Sequence, residues 1–283
     1  MSIVNLKEIL IEAEKGDYAV GCYNVINYES VRGILDAAEE TSSPIILGIA
    51  QVQLKDVDFS SIMNILVHEC SRAKIPVAIH LDHGLDFGTI KKSIDLGCTS
   101  VMYDGSLLPL EENIKITKEI ISYAHARNVS VETEVGEMGA ENDSADNHQK
   151  VNITNVMDAQ EFFKQTGVDA LAVSFGTVHG ITKETPTLNL SLLEELNNKV
   201  DTYLVMHGGS GLTAEEYKNV IKRGIRKINY FSYGYQAVAN KIRKFIEENP
   251  TALYDEISYF SIEAFKEVFG EVMEMFGSAG KVK

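Results

Sequence analysis

The sequence has few cysteines, and they are not arranged as pairs. Only three occur in 283 residues, at Cys22, Cys70 and Cys98. Because they are odd in number, far apart and outside any Cys-x-x-Cys pair, neither a disulfide framework nor a thiolate zinc site is predicted. Free cysteines fit a reducing compartment, and we expect a cytoplasmic protein.

Basic clusters and long apolar segments are also missing. The chain carries 41 acidic against 26 basic residues, a formal net charge of -15, and has no basic run of five or more residues. Nucleic acid and anionic membrane surfaces are therefore not expected as partners. The N-terminal residues 1–17 lack an apolar core, and the longest apolar runs have the length of a strand, so no targeting or membrane-spanning segment is expected.

What the chain does contain is a regular alternation of strand-like and helix-like segments. Eight short apolar runs occur in order: YAVGCYNV, PIILGIA, PVAIHLDH, SVMYDGS, VSVETEVG, ALAVSFG, TYLVMHGG and KINYFSY. Between them, apolar residues recur at three- and four-residue spacing, as at Val31, Ile34 and Leu35. The alternation predicts a parallel α/β sheet with right-handed crossovers. An open doubly wound sheet remains possible on periodicity alone.

Eight such units favour a (β/α)8 TIM barrel. A barrel of this type uses about 250 residues as one domain, and 45% of this chain is hydrophobic, which is enough to bury a full core. We therefore expect residues 1–283 to form a single TIM-barrel domain.

The ends of the predicted strands are unusually polar. In a barrel the active site lies at the C-terminal ends of the strands. The polar residues at these ends are Asp82, His83, Asp104, Glu134, Thr177, His179, His207 and Asn229. One histidine at such a position is more often structural than a ligand, but three at matching strand ends predict a metal centre. Three histidine ligands leave one coordination position open, as in catalytic zinc sites.

Strand alternation sorts the remaining polar residues by depth. It places Glu132 and Glu134 on one face of strand five, and it likewise groups His80 with Asp82 on the interior face of strand three. We interpret Glu132 and His80 as hydrogen-bonded residues of the barrel interior. Asp82, beside a metal-bound substrate, is better placed to transfer a proton.

Two loops are candidates for binding and gating. The segment HGGSG, residues 207–211, precedes a helical pattern, and its glycines would let backbone N–H groups approach an anion. A tight turn explains these glycines equally well, but the loops after strands seven and eight usually form the phosphate site of barrels. The polar segment 139–150 is either a disordered excursion or a mobile active-site flap, and its position after a strand end, where catalytic loops lie, favours the flap.

The segments HLDHGLD, MYDGS, VETEVG, FGTVHG and HGGSG together resemble the class II, metal-dependent ketose-bisphosphate aldolases of the fructose- and tagatose-bisphosphate type. The similarity runs end to end, including the tail FKEVFGEVMEMFGSAG. It implies a lyase of carbohydrate metabolism that reversibly cleaves a ketose 1-phosphate or a ketose 1,6-bisphosphate to dihydroxyacetone phosphate and an aldehyde. It also implies one catalytic Zn²⁺, with Co²⁺ or Fe²⁺ as substitutes, and a homodimer or homotetramer.

The resemblance also assigns roles to single residues. It makes His83, His179 and His207 zinc ligands, places Glu134 and Asp104 near the metal, and makes Asp82 the catalytic aspartate. The positions that would hold the phosphorylated substrate are Gly180, Lys183, Gly208, Gly209, Ser210, Asn229, Tyr230, Phe231 and Ser232.

The flap segment departs from the family pattern. The family usually has Gly-Gly-x-Glu-Asp where this chain has Gly-Ala-Glu-Asn-Asp at 139–143. Asn142 occupies the place of the proton-shuttling glutamate, and an amide cannot act as a general base. We therefore expect Glu141 or Asp143 to replace the missing base, with Glu141 as the candidate catalytic residue, or this step to be slow. The alternative is a catalytically impaired paralogue that binds metal and sugar phosphate.

The distal end of the site departs as well. Tyr230 and Phe231 are expected to bring aromatic bulk into the pocket wall, and segment 254–267 is shortened and has no arginine to bind a second phosphate. Fructose 1,6-bisphosphate is therefore not assigned as the substrate, and a distal group other than phosphate is the alternative. A Schiff-base aldolase is not favoured, because strand six has no lysine and Lys227 is placed at the N-terminal end of strand eight.

Overall fold

Eight parallel strands close into a barrel in chain order, with β8 pairing to β1. The structure is a computed structural model, and it describes residues 2–136, 153–182 and 186–282. The strands are Val20–Asn24 (β1), Ile45–Ala50 (β2), Val77–Gly84 (β3), Ser100–Tyr103 (β4), Ser130–Val135 (β5), Ala170–Val173 (β6), Tyr203–Met206 (β7) and Ile225–Asn229 (β8). The predicted (β/α)8 TIM barrel is confirmed.

Helices follow the strands around the outside of the barrel, except for the first helix, which precedes β1. They are Leu6–Gly16 (α1), Tyr28–Thr41 (α2), Phe59–Arg72 (α3), Phe87–Asp95 (α4), Leu110–His125 (α5), Val156–Thr166 (α6), Leu190–Lys199 (α7), Ala214–Ile221 (α8), Ser232–Glu248 (α9) and Tyr254–Met275 (α10). A short 3-10 helix, Gln51–Lys55, follows β2. Side-chain caps define several helix starts, because the oxygens of Asn27, Asp86 and Asn155 accept hydrogen bonds from first-turn N–H groups of α2, α4 and α6.

The fold buries two apolar layers. The larger layer lies between the outer face of the sheet and the helices. The smaller layer lies inside the barrel, where Cys22, Ile46 and Met102 meet Leu6 and Leu10 of α1. Helix α1 therefore closes the N-terminal end of the barrel, and the polar side chains of the interior lie toward the C-terminal end.

The three cysteines agree with the sequence analysis. Cys22, Cys70 and Cys98 are free and buried, so the prediction of no disulfide among them is confirmed. Of the helices in the described ranges, not one combines the length and the apolar character needed to cross a membrane.

The last helix covers the side of the barrel where β8 pairs with β1. Helix α10 packs along α2 and α9, with Phe265 and Phe269 buried in that contact. Its first turns contain the segment in which the sequence lacks an arginine. There, Tyr254 and Tyr259 are exposed.

Candidate metal centre and active site

Three histidines meet at the C-terminal mouth of the barrel. One ring nitrogen from each of His83, His179 and His207 lies within 4.8 Å of the other two. Nδ1 of His207 and Nε2 of His83 are 3.0 Å apart. His83, Asp104 and Glu134 form a second group within the same 4.8 Å limit, so His83 belongs to both. The structure thus brings together the five residues that the sequence analysis assigned to the metal.

A bulge at the end of β3 makes this arrangement possible. Neighbouring residues on a regular strand point to opposite faces, so Asp82 and His83 could not both face the mouth. Between Leu81 and Gly84 the register of β3 against β4 shifts, and His83 has a φ of 48°. A bulge re-aims a side chain, and here it turns His83 toward the other two rings. The sequence carried no visible signal for this bulge.

In two of the rings, the nitrogen that faces away from the other histidines contacts a carboxylate. Asp104 Oδ2 lies 2.8 Å from His83 Nδ1, and Glu132 Oε1 lies 2.8 Å from His207 Nε2. Metal-binding histidines are usually held in this way, because a carboxylate on the outer N–H leaves the lone pair of the inner nitrogen free for the metal. Glu132 was interpreted from sequence only as an interior residue. Its place on the same strand face as Glu134 could have identified this second role.

The electrostatics of the three rings fit a bound cation. Burial lowers the pKa of His83, but Asp82 and Asp104 more than offset burial and raise it to about 9. Burial, followed by the charge of His83, lowers the pKa of His179 to about 3, and burial lowers that of His207. Two neutral imidazoles therefore face a position that favours positive charge. The Nε2 atom of His179 is buried with no hydrogen-bond partner in the described part of the chain, as a ligand atom would be.

Asp82 lies beside the histidines, with both carboxylate oxygens occupied. Asn24 Nδ2 donates to Oδ2 at 2.7 Å, and Asn229 Nδ2 donates to Oδ1 at 2.9 Å. The residue is 2% exposed. Burial raises the pKa of Asp82, but the neighbouring charge of His83 more than offsets burial and holds this pKa well below its usual range. Asp82 is therefore an ionised carboxylate at the mouth.

Lys227 lies nearer the C-terminal mouth of the barrel than the sequence analysis expected. The placement at the N-terminal end of the eighth strand is wrong, because β8 begins at Ile225 and Lys227 is its third residue. Its side chain is fully buried, and Nζ lies 2.9 Å from Glu132 Oε2 and 2.6 Å from Asn229 Oδ1. The interpretation of His80 as a hydrogen-bonded interior residue is confirmed, since its Nδ1 lies 2.8 Å from Ser100 Oγ.

The loops after β6, β7 and β8 form a glycine-rich rim on one side of the histidines. Gly180, Gly208 and Gly211 all have positive φ, which glycine adopts without strain. The loops after β7 and β8 are joined, because Phe231 N donates to Ser210 Oγ at 3.2 Å. Helix α9 begins beside them without a side-chain cap on its first turn. Uncapped N–H groups at a helix start are suited to bind an anion.

Tyr230 does not enter the pocket wall. Its ring packs against Phe269 and Phe276, with 6.1 Å between ring centroids in each pair, and the residue is 9% exposed. The prediction of added aromatic bulk is therefore wrong for this side chain, because it points to the opposite face from Asn229. The Phe231 ring packs against Tyr235, with 4.2 Å between centroids.

Four residues singled out from the sequence lie outside the described residues. They are Glu141, Asn142 and Asp143 of the flap segment, and Lys183 of the phosphate site. Their roles stay predictions.

Gly208 offers a test of how tightly the rim is built. A Cβ atom on Gly208 would lie 2.7 Å from the carbonyl carbon and oxygen of Val178, and its φ is 60°. Gly167 has nearly the same φ, 62°, but nothing within 4 Å of such a Cβ. We expect Gly167→Ala to lower the free energy of unfolding by about 1–2 kcal/mol through backbone strain alone. Gly208→Ala should lower the free energy of unfolding, measured with urea, by more than Gly167→Ala does. It should also lower kcat/KM for a phosphorylated substrate by about tenfold. Equal effects of the two variants would contradict a tight rim.

A parallel barrel whose mouth holds three imidazoles, their outer carboxylates and a buried aspartate is the architecture of a metal-dependent barrel enzyme. Residues 4–281 match the family described as Fructose-bisphosphate aldolase class-II. The chain belongs to this family and is a metal-dependent carbon–carbon lyase.

Individual relatives agree with this assignment. The chain is 39% identical over 286 residues to a fructose-bisphosphate aldolase of Geobacillus stearothermophilus, covering 99% of each chain. It is 38% identical over 290 residues to a 6-phospho-5-dehydro-2-deoxy-D-gluconate aldolase of Bacillus licheniformis, covering 99% of this chain and 97% of that one. Among solved structures, the YdjI aldolase of Escherichia coli K12 has a TM-score of 0.89 and 31% identity over 99% of this chain and 100% of that one. Nothing in these comparisons, or in the described residues, favours a catalytically impaired paralogue.

Proposed function

We propose that this chain is a zinc-dependent aldolase that reversibly cleaves a ketose 1-phosphate, with His83, His179 and His207 as the metal ligands. The observation that supports this most strongly is the set of three inward-facing ring nitrogens, two of them backed by carboxylates. Neutral imidazoles suit zinc, with cobalt or iron as substitutes, better than the hard oxygen-binding cations. Glu134 is proposed as an additional carboxylate near the ion, and Asp104 as the group that orients His83.

The chemistry of an aldol cleavage fits these residues. A divalent cation bound here would polarise the carbonyl at carbon 2 and offset the negative charge that forms when the bond between carbons 3 and 4 breaks. Asp82 would accept the proton of the hydroxyl at carbon 4 and return it in the reverse direction. The two amide donors of Asn24 and Asn229 hold its carboxylate in place for this transfer. Glu141 remains our candidate for proton exchange at carbon 3.

The glycine-rich rim would hold the substrate phosphate. We assign this role to the backbone of Gly180, to the loop of Gly208, Gly209 and Ser210, and to Asn229 through Ser232 at the start of α9, with Lys183 as a cation nearby. An acidic chain needs such local features to capture an anion. The oligomer is proposed to be a homodimer or homotetramer, which light scattering would establish.

Sequence identity to the relatives does not indicate which distal group the substrate carries. Relatives at 39% and 38% identity are named for different substrates, fructose bisphosphate and 6-phospho-5-dehydro-2-deoxy-D-gluconate. The first turns of α10 bring no arginine that could bind a second phosphate by two parallel hydrogen bonds. We propose that the distal end is neutral or carries a different charge.

An assay of triose phosphate release tests both the reaction and this preference. The zinc-loaded enzyme is expected to release dihydroxyacetone phosphate from a ketose 1-phosphate. Its kcat/KM for fructose 1,6-bisphosphate should not exceed that for a ketose 1-phosphate with an uncharged tail. The reason is that no arginine of α10 is available to bind the second phosphate. No release from any ketose phosphate would refute the proposed reaction. Strong preference for the bisphosphate in a competition assay would refute only the proposed distal group.

A further inference from the structure

Lys227 is the one buried charge of β8 that faces the barrel interior in the described structure, and the proposed reaction does not use it. The side chain has no exposed surface, and Nζ lies 3.0 Å from Glu132 Oε1, 2.9 Å from Glu132 Oε2 and 2.6 Å from Asn229 Oδ1. A lysine ammonium has three N–H donors and no acceptor, and here it donates to Glu132 Oε1 and Asn229 Oδ1, while Glu132 Oε2 belongs to the same buried ion pair. Burial lowers the pKa of Lys227, but the Glu132 charge more than offsets burial and raises it, in keeping with a charged ammonium.

The contact with Asn229 sets the direction of an amide. Because the ammonium only donates, the atom of Asn229 that faces it must be the carbonyl oxygen. The amide nitrogen is then forced to the other side, where it donates to Asp82 Oδ1 at 2.9 Å. If the amide were reversed, two donors would face each other at Lys227 and two acceptors would face each other at Asp82. Lys227 therefore determines which hydrogen bond the candidate acid/base group receives.

The contact with Glu132 sets the orientation of an imidazole. Lys227 lies near both carboxylate oxygens, and Oε1 also lies 2.8 Å from His207 Nε2. A carboxylate held in this way accepts the Nε2 proton, and the lone pair of Nδ1 then faces His83. The same lysine thus acts on a candidate metal ligand through a second path.

We propose that Lys227 is a positioning residue that orients both halves of the centre, Asp82 through Asn229 and His207 through Glu132. The proposal rests on the proposed function, in which those two residues act on substrate and metal. It also argues against Lys227 as a Schiff-base nucleophile, since a fully buried ammonium paired with Glu132 is not free to attack a substrate carbonyl.

The neighbouring residue supplies a matched control. Arg226 is also a buried cation of β8, at 6% exposure, but its guanidinium donates to the carbonyls of Ile221 and Ile225 and pairs with Glu14 and Asp17. These partners belong to α1 and the N-terminal end of the barrel, away from the histidines. Removing either cation should destabilise the fold, but only Lys227 should affect the centre.

The test compares Lys227→Met, Arg226→Met and the double variant Lys227→Met/Glu132→Gln in the full chain. Zinc affinity is measured by competition with a chromophoric chelator, and kcat is measured at saturating zinc. We expect Lys227→Met to weaken zinc binding by about tenfold to a hundredfold and to lower kcat by about tenfold or more. Arg226→Met should change neither quantity by more than about twofold, although its unfolding temperature falls.

The double variant keeps the test decisive if Lys227→Met does not fold, because it removes both members of the buried ion pair together. It should still show weakened zinc binding and lowered kcat. Parental zinc affinity and kcat in either Lys227 variant, or an equal loss in Arg226→Met, would overturn the proposal. An inactive parent enzyme would instead refute the proposed reaction, while the zinc measurement would still test the path to His207.

Discussion

Incubation with EDTA is expected to abolish aldol cleavage, and added zinc or cobalt is expected to restore it. A metal that stabilises the developing charge supplies several kcal/mol, so we expect a loss of at least about a thousandfold in kcat. How much activity each added ion restores should depend on its preference for nitrogen or oxygen ligands. Neutral imidazole nitrogens suit zinc and cobalt, whereas magnesium and calcium prefer oxygen ligands and should restore little.

The loss should come from the ion and not from unfolding. The ligands lie at the ends of strands whose packing involves two apolar layers, so far-ultraviolet circular dichroism should change little on chelation. His207→Ala should reproduce the loss and lower zinc content, while His68→Ala, on an exposed position of α3, should retain both. Full activity in a protein shown to be free of metal would contradict the mechanism, as would trapping of substrate on a lysine by borohydride.

Asp82→Ala is expected to lower kcat by about a hundredfold or more while zinc content stays at the parental level. Loss of a positioned acid/base group typically costs this much. The histidines keep their own carboxylate partners, Asp104 and Glu132, in this variant. Turnover at saturating zinc and substrate, with zinc determined on the same sample, measures both quantities.

Asp169→Ala serves as the control for removing a buried carboxylate. Asp169 is 7% exposed, lies just before β6 at the other end of the barrel, and accepts from Val131 N at 2.9 Å. This variant should be less stable but retain kcat. If Asp82→Ala loses zinc, the aspartate supports the metal and not proton transfer. Unchanged turnover would exclude Asp82 from the chemistry.

The barrel and the location of its mouth could be predicted from sequence because both follow from periodicity. Strands and helices alternate strictly, and parallel strands place their C-terminal ends on one side. The convergence of Asp82 and His83 could not be derived in this way. It depends on a bulge and a left-handed backbone at His83, which the surrounding fold imposes.

The errors on β8 have two different causes. The strand start was missed because Arg226 and Lys227 interrupt the apolar pattern, and their partners, among them Glu14 and Glu132, are distant in sequence. No local signal reveals such pairing. The direction of Tyr230, in contrast, was readable, since alternation places it opposite Asn229.

Helix α1 has a consequence beyond closing the barrel. Its buried side chains Leu6, Leu10 and Ala13 fill the end of the interior below Lys227 and Glu132. Charges that are shielded from water interact through a medium of low polarisability, where a Coulomb attraction is several times stronger than in solvent. The first helix of the chain therefore excludes water from the buried charges of the interior. Although it lies at the opposite end of the barrel, it strengthens the electrostatic interactions around the metal centre.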